Sequence, residues 1–204
     1  MSIAQAGPTL HFYRFEINLA ELPDQLSTFI EKNPDTREIE DLGLELVASG
    51  FKRELTSKFI KRVCTWGRYA GIAGRVILRN GLEVAARTLN EAHQCAKVGD
   101  LDGALHSLLQ LKGLSVSFAS KHLKFLSPDK AVVLDSIISE NLGYPLKPSG
   151  YREFVDDCAN VRDRAAKASI PYTGWGPSGW RVSDVEMAIF TKLKGDIRSR
   201  GITL

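Results

Sequence analysis

Cysteine is scarce in this chain: Cys64, Cys95 and Cys158 are three among 204 residues, odd in number and far apart. No C-x-x-C pair occurs, so neither a zinc site nor an iron–sulfur cluster has the ligand spacing it needs. The thiols read as free, buried and reduced. His11, His93, His106 and His122 show no ligand spacing either, and no metal ligands are assigned. Long apolar runs are also missing. None approaches the roughly 20 residues that span a bilayer, and no N-terminal stretch has the build of a signal peptide. The expectation is a cytoplasmic protein with no membrane partner. Internal repeats and low-complexity segments are absent, which argues against a solenoid or a disordered chain.

What is present is an ordinary globular composition, 44% hydrophobic and 25% charged, with a formal net charge of +3. A chain of this length builds one compact domain or two small lobes on a shared core. The charge is unevenly spread. Between Phe51 and Asn80 stand Lys52, Arg53, Lys58, Lys61, Arg62, Arg68, Arg75 and Arg79, opposed only by Glu54. That segment is +7, so the remainder of the +3 chain is −4. Such asymmetry is the footprint expected of a polyanion partner, or else of one strongly solvated helix face.

The patterning is helical nearly throughout. Apolar residues at steps of three and four predict helices over Pro23–Lys32, Arg37–Ser49, Arg53–Arg68, Tyr69–Arg79 and Leu82–Ala96. Asp102–Leu111, Val116–Leu126, Ser136–Leu142, Tyr151–Ser169 and about Val182–Gly195 follow, with Asp100 or Asp102, and Ser183 or Asp184, as natural N-caps. Thr9–Leu19 is the one strand candidate: Phe15, Ile17 and Leu19 alternate with Glu16 and Asn18. Lys147-Pro-Ser-Gly150 reads as a loop, and residues 171–180 form a stretch of glycine, proline and tryptophan. The fold class is all-α with one minor N-terminal strand.

One stretch carries chemistry: LKGLSVSFASKHLKFLSPDKAVVLDS, Leu111 to Ser136. Gly113 follows a leucine-rich helix where positive φ is needed, which glycine tolerates without steric cost. In the next helix Leu114, Phe118, Ala119, Leu123 and Leu126 share one face, and Ser117, Lys121 and Lys124 the other. A tight loop feeding a helix start exposes unpaired amides, an anion site suited to phosphate. The apolar Ala131–Leu134 then stops at Asp135, which reads as the N-cap of the following helix and is aimed by the bonds it accepts there.

This stretch resembles the helix-hairpin-helix base-excision DNA glycosylases, which include 8-oxoguanine glycosylases, endonuclease III and the adenine glycosylases of the MutY type. Their signature is an L-P-G-V-G hairpin, a helix, and an apolar run ending in the catalytic aspartate. Leu111-Lys-Gly-Leu-Ser115 matches the hairpin, Val133-Leu-Asp135 the end, and Ser136–Gly143 the helix beyond. Gly113 to Ser117 is four residues and Ser117 to Asp135 eighteen, the MutY-type spacing. The match covers Leu111–Gly143. The phrases WGRYAGIAGRV and WRVSDVEMAIF also resemble a small bacterial group with an 8-oxoguanine-glycosylase fold. Departures accompany the match: Lys112 replaces the proline, Ser115 the second glycine, and Ser117 the lysine of the bifunctional members. The endonuclease III cluster cysteines are missing.

The resemblance implies a two-lobed glycosylase fold over residues 1–204, with the helix-hairpin-helix at 103–126 and the aspartate loop and helix at 127–143. It implies that Asp135 stabilises an oxocarbenium-like sugar or activates water, as a carboxylate does in glycoside hydrolysis. A lyase would need an amine of lowered pKa. Lys121, one turn after Ser117, leads for that role and Lys124 is next, although such lysines more often hold phosphates. Lys112, Gly113, Ser115, Lys124, Arg68 and Arg75 are the expected DNA contacts. A structural monovalent cation is expected at the hairpin, and no other cofactor. Trp66, Tyr69, Trp175 and Trp180, with Tyr172, are candidates for stacking on a flipped base, or for packing the lobe junction. The expected function is a mainly monofunctional DNA N-glycosylase, an 8-oxoguanine-type purine favoured, acting as a monomer on double-stranded DNA with a modified base. The alternatives are a glycosylase with lyase activity through Lys121, a non-catalytic DNA-binding module, and a phage-defence protein acting on a modified nucleobase.

Overall fold

A computed structural model describes residues 9–12, 15–176 and 179–199. Among them the chain is mostly helical, as its periodicity predicts. The helices are α1 (Leu22–Lys32), α2 (Asp35–Ala48), α3 (Arg53–Trp66), α4 (Gly71–Asn80) and α5 (Leu82–Lys97). They continue as α6 (Leu101–Leu109), α7 (Val116–Leu126), α8 (Ser136–Leu142), α9 (Pro148–Lys167) and α10 (Val182–Ser199). The expected strand Thr9–Leu19 is two short antiparallel ones, β1 (Thr9–Phe12) and β2 (Phe15–Asn18), with Thr9 opposite Asn18 and Phe12 opposite Phe15. The candidate segment thus pairs with itself, its first half against its second. Ile17 and Leu19 are buried and Glu16 is exposed, as alternation requires. The side chain of Phe15 lies outside the described residues, as does that of His11.

Aspartates fix the starts of α6, α8 and α10. Asp100 accepts the Gly103 N–H at 2.8 Å, and Asp135 accepts the Ile138 N–H at 3.2 Å. Asp184 reaches back to the Arg181 N–H at 2.9 Å, the reciprocal half of a capping box at the start of α10. Lys147–Gly150, expected as a loop, is instead the start of α9. Pro148 stands at its first position, where the missing N–H costs nothing and the fixed φ is already helical.

The larger correction concerns α7. Its polar positions predict a solvated face, yet every residue from Phe118 to Leu126 is buried. The helix runs through the middle of the protein, packed by α2, α3, α5, α6 and α9. Lys124 is fully buried and donates to Glu40 of α2 at 3.1 Å. Glu40 also accepts Arg181 at 2.7 Å, and Arg181 binds Asp184 at 2.7 Å. Two cations and two carboxylates thus form a closed, charge-neutral quartet. Burial pushes the Glu40 carboxyl up, but Lys124 and Arg181 outweigh it and hold the group below its ordinary range. Trp175 donates to Glu40 at 2.7 Å and Tyr172 to Asp184 at 3.1 Å, so the quartet also ties down these two aromatic side chains. One apolar core extends from Ile17 to Ile197, with α1 laid against α10. No helix among the described residues is long and apolar enough to cross a membrane.

Candidate active site

The hairpin and the aspartate are brought to opposite ends of the first two turns of α7. On the hairpin side, α6 ends at Leu109, two residues earlier than expected, and Gly113 lies in the loop beyond it with φ +108°. A Cβ on Gly113 would stand 3.4 Å from Val76 of α4, so the loop rests on the same helix that carries Arg75. Asn80 clamps it: its Oδ1 accepts the Lys112 N–H at 2.9 Å and its Nδ2 donates to the Lys112 carbonyl at 3.0 Å. The residue standing where the resembled family has proline therefore uses the N–H that proline lacks. Leu114 N–H takes the Leu111 carbonyl at 3.1 Å. The loop is thus braced by a neutral amide. Ser115 precedes α7 in an extended conformation without a side-chain capping bond, leaving the first-turn amides to another acceptor.

On the aspartate side, the buried run Ala131–Leu134, outside any helix or strand, lies against α7. Ser120 ties it there. Its Oγ accepts the Leu134 N–H at 3.1 Å and donates to the Ser117 carbonyl at 3.0 Å. The next residue is Asp135. One carboxylate oxygen caps α8, and the other lies 3.4 Å from Lys121 Nζ. Lys121 also donates to Ser117 Oγ at 2.9 Å. Ser117, Lys121 and Asp135, separated by up to eighteen positions, thus form one hydrogen-bonded cluster. Burial pulls the Lys121 amine below its ordinary range, only partly offset by Asp135 and by Glu186 of α10. Glu186 is itself buried and near Asp135, and burial pushes its carboxyl up to about 8.

The cluster forms the floor of a cavity of about 310 Å³. Its walls are aromatic: Trp66 and Tyr69 from the α3–α4 corner, Phe118 from α7, Phe29 from α1 and Phe190 from α10. Phe29 and Phe190 meet edge to face at 6.3 Å, and Tyr69 and Phe118 at 6.5 Å. Gly67 allows the close approach at this corner, since a Cβ there would fall 2.8 Å from Phe118 and 3.1 Å from the Lys121 stem. Such a site can take a flat ring between aromatic faces and present it to a carboxylate and an amine.

The predicted site residues thus divide. Asp135, Lys121, Ser117, Trp66, Tyr69 and Arg68 line the cavity. Lys112, Gly113, Ser115 and Arg75 are exposed around the hairpin. Lys124 is not available to DNA, because the quartet holds it fully buried. Trp175 and Trp180 do not line the cavity either: Trp175 packs over the quartet, and Trp180 is buried with its Nε1 on the Ile170 carbonyl at 3.1 Å. The basic segment is also less positive than its sequence, since Arg53 pairs with Glu83 and Arg62 with Glu38. Phe29, Asn33, Phe190 and Lys194 were missed. They come from α1 and α10, each read as an amphipathic helix, and no local pattern separates a cavity aromatic from a core one. Among the described residues no group of three or more His, Cys, Asp or Glu is placed to hold a metal ion. No protein-family model, curated protein or solved structure compared with the chain matches it.

Proposed function

We propose that the protein is a DNA N-glycosylase of the helix-hairpin-helix kind, removing a damaged or modified base, an 8-oxoguanine-type purine favoured. The observation that carries this reading is Asp135, fixed by a helix cap and a lysine on the floor of an aromatic-walled cavity. A base inside a duplex must leave the stack to react. The hairpin amides, Lys112 and Arg75 grip the backbone without reading sequence. The extruded base enters the cavity, between Tyr69, Phe118 and the Phe29–Phe190 pair. Asp135 then faces the sugar, stabilises positive charge at C1′ as the base departs with the bonding electrons, and directs water to that carbon.

A second reading is favoured by one specific contact, Lys121 beside Asp135. An amine of lowered pKa in this position can attack C1′ itself, which would make the enzyme a glycosylase with lyase activity. Glycosylase assays on duplexes carrying 8-oxoguanine, uracil, alkylated and hydroxymethylated bases test both. The hydrolytic reading expects strand scission only after alkali. Asp135→Asn keeps the helix cap and should cut the rate about 10³-fold while DNA binding persists. Undiminished activity in that variant would sink the assignment. A borohydride-trapped complex lost in Lys121→Ala would select the lyase. No activity on any duplex would favour a DNA-binding module.

A further inference from the structure

The cavity does not end at its aromatic walls. Phe29, Asn33, Arg68, Phe190 and Lys194 are shared with a second chamber of about 440 Å³ between α1 and α10. Four cations line it: Lys32 at the end of α1, Arg68 after α3, and Lys194 and Arg198 on α10. No carboxylate is among the lining residues, which otherwise include Gln25, Thr28 and Thr191. None of the four cations makes an ion pair with a described residue. Lys192 on the same helix, by contrast, meets Glu21 at 2.6 Å.

The cluster is maintained against its own repulsion. Lys194 and Arg198 are four apart on one helix, a like-charge spacing that destabilises the helix. The Lys194 amine is pulled down by burial and then by Arg198, Arg68 and Lys32, with Asp135 of the adjoining cavity opposing them. Arg68 sits at φ +63°, a left-handed conformation that suits glycine and costs a side-chain-bearing residue about 1 kcal/mol. Glycine there would relieve the strain and remove the guanidinium.

We infer that this chamber is a phosphate-binding site, holding a phosphate of the same substrate whose ring occupies the adjoining cavity. Guanidinium forks and ammonium groups around hydroxyl and amide donors match a phosphate group, and four positive charges exceed what a single carboxylate balances. The inference goes beyond the proposed reaction and stands without it. The phosphate belongs either to the strand flanking an extruded nucleotide or to a free nucleotide.

Thermal unfolding of the full chain in phosphate, against chloride at matched ionic strength, tests the site directly. Phosphate should raise Tm by about 2–4 °C. Lys194→Gln/Arg198→Gln should lose that response and should melt higher than wild type in chloride, because the repulsion is gone. Lys32→Gln, on a different helix, should reduce the response by about half. A wild type indifferent to phosphate, or a double variant that still responds, overturns the inference. To find the source, a duplex with an uncleavable abasic analogue is given neutral methylphosphonates in turn around the lesion. One such replacement weakening wild-type binding about tenfold, but not binding by the double variant, assigns a backbone phosphate. Competition by a nucleoside 5′-monophosphate, lost in the double variant, assigns a free nucleotide. If neither probe separates wild type from variant, the inference falls. Inactivity on every modified duplex with the phosphate response intact would instead sink the proposed reaction and leave the chamber standing.

Discussion

Lys121 and Lys124 stand one turn apart on α7. Both are buried and both face a carboxylate. Around Lys124 the shell is closed: its side chain is fully buried, that of Glu40 is 5% exposed, and the remaining Glu40 bonds go to Arg181 and Trp175. Around Lys121 the shell is incomplete. Asp135 keeps 17% of its side chain exposed, and the cluster opens onto a cavity with aromatic walls. A buried charge fully matched by its neighbours is architecture. One left partly matched beside an open cavity can exchange a partner for a substrate. Glu186 lies in the field of both lysines and ties the two environments together.

Breaking the closed side should cost most. Lys124→Met leaves Glu40 and Asp184 against Arg181 alone, and urea unfolding should show a loss of about 3–5 kcal/mol. Adding Glu40→Gln should recover much of it. A loss below 1 kcal/mol for the single variant would erase the distinction between the two lysines. Glu186 should come next, through pH. Its folded carboxyl titrates at about 8 and its unfolded one near 4.5. As pH rises between those values the unfolded chain releases the proton first, so stability present below 4.5 is lost towards 8. The loss is on the order of 4 kcal/mol by pH 8. Urea midpoints of wild type and Glu186→Gln should converge in acid and separate by pH 8.5, with the variant more stable. Lys121→Met should destabilise by only about 1 kcal/mol, since Asp135 keeps its cap and some contact with water. Ser120→Ala should cost about 1 kcal/mol as well, and should also lower activity by loosening the segment that aims Asp135.

The helices were legible because apolar periodicity is local, and the limits of α7 and α8 follow from Gly113, Pro128, Asp135 and Gly143 without any partner. Asp135 as a cap was legible for the same reason. The fate of the polar residues on α7 was not. Lysine at steps of three and four reads as a wet face unless the opposing carboxylate is known, and Glu40 lies 84 positions away. The tryptophans failed in the same manner: Trp175 answers to Glu40, 135 positions distant. The chamber lined by Lys32, Arg68, Lys194 and Arg198 is assembled from three separate segments, each carrying unremarkable surface charge by itself. Pro148 was misread because a Pro-Ser-Gly triplet signals a turn as readily as a helix start.

The quartet has a further consequence for how the protein is made. Arg181 follows Glu40 by 141 positions. At about 5–20 residues per second, a ribosome delivers the second roughly 7–28 s after the first. For the first 84 of those positions Glu40 has neither Lys124 nor Arg181, and for the rest it has at most Lys124, so it must keep some water. The carboxylate at the centre of the protein is therefore fully matched only once the start of α10 has been made, and closure of this part of the core waits for that helix.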